Sequence, residues 1–239
     1  MVDADRTTGC FVLTGSQQFG LPAGINQSVA GRVGMTRLLP LSLAEIPAER
    51  LGRPDEMLLR GGYPVLYGGT VDSKDWPASY VATYVERDIR QVLEVRDLMG
   101  FQRFPRLSAA RTGQLLNLNA LAGEAGIFHS TARTWMSVLK SSDFVYTPSY
   151  HTNLGKRFVQ TPRLYFHVGL ACWLLGIRSP DLLSVHPSRG ALFETLAVSE
   201  FFKQRFNLGK PADLFSGATT PDSKVSVRPT PSIDGPSHV

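Results

Sequence analysis

Between Leu118 and Leu139 the sequence permits little besides two helices joined by a tight turn. Leu118, Leu121, Ala122 and Ala125 recur at helical spacing. Gly126 then stands where a left-handed glycine ends a helix, and Ser130 stands where a hydroxyl caps the next one. In that second helix Ala132, Trp135, Met136 and Leu139 fall at i, i+3, i+4 and i+7, so one stripe faces a core. Thr131, Arg133, Thr134, Ser137 and Lys140 are left to face away. Downstream, FVYTPSY and KRFVQTPRLYF read as two strands joined by His151 to Gly155, a hairpin placed as the wing of a winged helix. A basic, hydroxyl-rich second helix suits a major groove, and basic residues in a wing suit phosphate. Arg133, Thr134, Ser137 and Lys140 on the helix, with Lys156 and Arg157 on the wing, are therefore the candidate DNA-binding residues. The competing reading is a packing module between neighbouring domains, which would use the same amphipathic pattern.

Charge is compatible with DNA as a partner without requiring it. The 25 Lys and Arg exceed the 20 Asp and Glu, giving a net charge of +5. Only Cys10 and Cys172 are present, too few for a disulfide framework or a cysteine zinc site. The five His, from His129 to His238, show no metal-ligand spacing, so no metal site is expected. The N-terminal MVDADRTTGC is acidic where a signal peptide is basic, and no apolar run approaches the ~20 residues that span a bilayer. A cytoplasmic chain with no membrane partner is expected.

The rest of the sequence predicts a mainly α chain with minor β, an α+β fold. Phe11, Val12 and Leu13, stopped by Gly15 and Ser16, read as a buried strand whose neighbours are missing, so the chain is expected to begin inside a domain. Residues 25–32 read as a short helix, and 37–43 as an edge strand interrupted by Pro40. Val81, Val85, Ile89 and Val92 give a long helix from Trp76 to Leu98 one apolar stripe. A helix over 102–114 should turn Phe104, Leu107 and Ala110 inward, and another is expected over 191–206. The last 24 residues hold five Ser, four Pro and two Gly with no aromatic, a composition that predicts a disordered tail.

The succession FVLTGSQ, SVAGRVG, LLPLSLAE, RGGYP, YVERDIRQ, ARTGQLLNLNALAGEAGIFHSTARTWMSVL, GLACWLLGI and RGALFETLAVSE resembles, over residues 8 to 214, bacterial and archaeal AAA-type ATPases that carry a C-terminal DUF4143 domain. The resemblance implies a remnant of an α/β ATPase sheet over 1–60, a helical connector over 61–100, a winged helix-turn-helix over 101–170, a partial restriction-endonuclease-like region over 171–215 and the tail over 216–239. It places Thr14, Ser16, Gln17 and Arg32 near a nucleotide, and it implies that YVERDIRQ couples nucleotide state to the C-terminal domain, whereas the charges of Glu86, Arg87, Asp88 and Arg90 by themselves favour an ion-paired helix between domains. Glu194 and Glu200 then resemble the helical glutamates before a nuclease metal site, although YFHVGL departs from the family's Asp-Thr-Gly-Leu. Full-length members use ATP and Mg, yet no phosphate-cradling GxxxxGKS or GxxxxGKT occurs in this sequence. The implied protein is truncated at both ends and non-catalytic, without a cofactor or a catalytic residue of its own, and its status as an enzyme stays open. Two alternatives stand beside it: a DNA-binding winged-helix regulator, and a partner that completes the site of a P-loop-containing chain through Ser16 and Arg32.

Overall fold

The structure, a computed structural model, describes residues 38–69, 71, 76–84, 98–147 and 162–210, with two short strands at 215–217 and 226–228. All belong to the second of the two units into which the chain divides, Thr36–Val239. The expected first strand, the 25–32 helix, Cys10, Thr14, Ser16, Gln17 and Arg32 lie outside the described residues, as do Glu86, Arg87, Asp88 and Arg90.

The described chain is mainly helical with minor β. Helices α1 (Ala48–Leu51), α2 (Pro54–Arg60) and α3 (Trp76–Tyr84) precede α4 (Leu98–Ala109), α5 (Leu118–Ala125) and α6 (His129–Ser141). Strands β1 (Val145–Tyr146) and β2 (Tyr165–Phe166) come next, then α7 (Val168–Leu174), α8 (Pro180–Ser184) and α9 (Arg189–Asn207). The strands pair antiparallel, Val145 opposite Phe166 and Tyr146 opposite Tyr165. A separate antiparallel ladder pairs Phe215–Gly217 with Ser226–Arg228, and all of it but Phe215 falls in the segment expected to be a tail. Among the described residues no helix is long and apolar enough to cross a membrane.

The centre is α7, VGLACWL, in which only Trp173 escapes full burial. A helix apolar all round must be surrounded, and α7 touches α2, α3, α4 and α9. The approach of α2 is close enough that a Cβ on Gly169 would lie 2.8 Å from the Arg60 carbonyl oxygen, which fixes glycine at that position. Cys172 is sealed here, its thiol donating to the Leu58 carbonyl at 3.4 Å, and burial pushes its pKa up to about 12. One continuous core runs from Leu58 through Trp135 and Phe166 to Leu196, crossing three of the segment boundaries suggested by the sequence.

Two expectations about elements are corrected. Residues 38–43 form no strand. Pro40 has no N–H for a ladder, and Leu41 spends its backbone elsewhere: its N–H donates to the Gly62 carbonyl at 2.7 Å, and its carbonyl accepts from Lys203 Nζ at 2.8 Å. The helix expected over 102–114 is α4, which begins and ends earlier, so Phe101 joins Phe104 in the core while Ala110 lies exposed beyond the last turn. Of the expected Trp76 to Leu98 helix, α3 is described, and Leu98 is the first residue of α4.

Candidate functional site

The turn between α5 and α6 is built by its glycine. Gly126 takes φ 69° and ψ 32°, and its N–H bonds the Gly123 carbonyl at 3.2 Å while that of Ile127 bonds the Ala122 carbonyl at 3.0 Å. This doubled closure satisfies the carbonyls that a helix end leaves open. Asn117 caps the other end of α5, its side chain accepting from the Ala120 N–H at 3.0 Å. Ser130 caps nothing: the residue preceding α6 is Phe128, which is 82% exposed, and Ser130 lies within the first helical turn.

Packing then decides which face of α6 is presented. Trp135 is buried edge-on against Phe101 and Phe104, with ring centroids 5.0 and 5.5 Å away. Ala132, Met136, Val138 and Leu139 are buried beside it. Ser130, Arg133, Thr134 and Ser137 share the opposite face and are exposed. The Thr134 hydroxyl donates back to the Ser130 carbonyl at 3.1 Å.

The hairpin after α6 is anchored on both sides. Gly113 donates to the Leu164 carbonyl at 2.7 Å, Leu164 to Gln114 at 2.9 Å and Leu116 to Pro162 at 2.8 Å, so the segment before α5 flanks β2 opposite β1. Phe166 N–H reaches the Thr112 hydroxyl at 3.2 Å, and that hydroxyl lies 3.0 Å from the hydroxyl of Thr195 on α9. The element order is thus helix, a segment bridged to Arg163 through Leu115, helix, turn, helix and an antiparallel strand pair. Lys156 and Arg157 lie outside the described residues.

Lys140 does not share the exposed face. It is half-buried at the last turn of α6 and lines a cavity with Tyr146, Ser199, Phe202 and Phe206. The helical repeat puts it beside the Met136 edge, and α9 arrives at that end of α6, which the sequence pattern of α6 alone does not reveal. That Tyr146, Phe202 and Phe206 meet around Lys140 is not readable from the sequence for the same reason: they come from elements distant along the chain.

Glu194 and Glu200 serve structural bonds. Tyr165 donates its hydroxyl to Glu194 at 2.8 Å. Glu200 accepts from the Leu43 N–H at 2.7 Å and pairs with the buried Lys203 at 2.7 Å, tying residues 41–43 to α9. Their six-residue separation turns them to different faces of α9. Among the described residues no group of three or more His, Cys, Asp and Glu is placed to hold a metal ion.

Comparison with known proteins corrects the family expectation. An uncharacterized protein of Mycobacterium bovis and an uncharacterized protein of Mycobacterium tuberculosis are each 28% identical to this chain over 232 residues, 95% of this chain and 51% of theirs. The chain thus spans about half the length of the curated relatives it matches. No solved structure matches it. The family that matches is not the AAA-type ATPase family with DUF4143. The ATPase and nuclease-like remnants that the resemblance implied fall with it. The matching family is described as "Domain of unknown function (DUF8612)" and covers residues 53–181, more than half of the sequence, α2 through α7 and the start of α8 included; the chain belongs to it.

Proposed function

We propose that residues 101–170 form a winged helix-turn-helix that binds duplex DNA in the cytoplasm, with α6 in the major groove. The observation that carries this reading is the clustering of Arg133, Thr134 and Ser137 on one exposed face of a helix whose other face is locked into the core by Trp135. Recognition helices present such a face after a tight turn. The antiparallel pair that begins at β1 supports the reading by its position, and Lys156 and Arg157, in the sequence between its strands, are the phosphate contacts of this reading. Arg133 is the specificity-bearing residue, since a guanidinium can bridge two acceptors on a guanine edge. Lys140 is left out of this interface because it is half-buried and lines the cavity. The reading is of a binding module and assigns no catalytic residue and no cofactor.

Fluorescence anisotropy with duplex DNA of mixed sequence, at two salt concentrations, tests it. Arg133→Ala is expected to weaken binding about tenfold. Removing Lys156 should weaken it uniformly and lower the salt slope by about one. Equal binding by the wild type and an Arg133→Ala, Ser137→Ala double variant removes α6 from any DNA interface and leaves the packing-module reading.

A further inference from the structure

The last turn of α6, β1 and one flank of α9 border a cavity of about 260 Å³ that opens to solvent. Its aromatic wall is fixed before anything enters. Tyr146 packs edge-on against Phe202, with centroids 4.9 Å apart, stacks on Tyr165 at 5.6 Å and donates its hydroxyl to the Thr195 carbonyl at 3.0 Å. Phe206, one turn further along α9, extends that wall.

Lys140 is the cation that borders this space. No ion pair or hydrogen bond engages its ammonium among the described residues. Burial alone moves its pKa, downward, whereas a carboxylate at contact distance would have raised it. Asp143 and His167 also border the cavity, and each already has a partner of its own. A half-buried cation without a counter-ion carries a desolvation cost, which an arriving anion offsets through a charge-assisted hydrogen bond. The volume lies just below the roughly 300–1,000 Å³ typical of drug-sized ligands, which restricts the occupant to a single ring or its equivalent.

We propose that this cavity binds a small aromatic monocarboxylate, its carboxylate on Lys140 and its ring against Tyr146, Phe202 and Phe206. The site goes beyond the DNA reading and does not depend on it.

Calorimetric titration of the full chain with benzoate, in the absence of DNA, is the test, with benzyl alcohol as the neutral counterpart. Benzoate should bind with a dissociation constant of about 1 mM or tighter, and benzyl alcohol about tenfold more weakly. Lys140→Met should lose about tenfold in benzoate affinity and keep that for benzyl alcohol, while Arg133→Ala binds benzoate as the wild type does, separating this site from the DNA-facing surface. An amide NMR titration of the wild-type chain needs no variant: benzoate should shift Lys140, Tyr146 and Phe202 and leave Arg133 in place. Absence of benzoate binding, equal affinity for the neutral alcohol, unchanged affinity in Lys140→Met or shifts confined to other regions would each overturn the proposal.

Discussion

At the scale of single residues, the left-handed conformation of Gly126 sets the angle at which α6 leaves α5. Nothing lies within 4 Å of where its Cβ would be, so a substitution there meets backbone strain without a clash. Gly126→Ala should destabilise the chain by about 1–2 kcal/mol, and Gly126→Asn by less, because asparagine tolerates this region better. Urea denaturation followed by circular dichroism measures both. This glycine was legible because its chemistry is local: it comes after a helical run and nothing distant has to be known. The caps were harder. Asn117 and Asn119 both sit near the start of α5 in the run LNLNAL, and only the settled start of α5 shows that Asn117 is the one that caps. Ser130 looked like a cap for the mirror-image reason, since a hydroxyl in the first turn of a helix and one just before it differ by only two places in the sequence.

At the scale of elements, α6 was legible as an amphipathic helix because its burial follows its own 3.6-residue period. Its centre is Trp135, which Phe101 and Phe104 clasp from α4. Trp135→Ala should cost about 3–5 kcal/mol, read as a lower urea midpoint, and any DNA binding would disappear with the fold. Arg133→Ala, on the exposed face, should leave that midpoint nearly unchanged, so the pair separates a packing residue from a surface one. The position of Lys140 was not legible, for a physical reason. A period sorts residues into faces, but which part of a polar face reaches water depends on what else packs there, and at the end of α6 that element is α9, distant along the chain. The boundaries of α4 slipped similarly. Pro105 sits inside it and looks like an early-turn residue, although the helix already begins at Leu98.

At the scale of the molecule, the helical class could be read from the sequence, whereas the central place of α7 could not. VGLACWL is short and uniformly apolar, a composition shared by buried strands and buried helices, and only its contacts with four other helices reveal its role. Sequence resemblance failed at this scale too, since stretches assembled by core packing say more about burial than about ancestry. The placement of β2 has a practical consequence. Backbone bonds hold its segment from both sides, and Leu164, Tyr165 and Phe166 are completely buried, so the polypeptide beyond residue 161 is fastened to the polypeptide before residue 148 without help from the intervening peptide. A protease site engineered between residues 148 and 161, once cleaved, should therefore yield two fragments that co-elute in native buffer and part in urea. Fragments that separate in native buffer would show that the covalent link is required. If they stay together, the same cut turns the protein into a complementation pair: two polypeptides made separately, each carrying its own label, that reassemble around one shared strand.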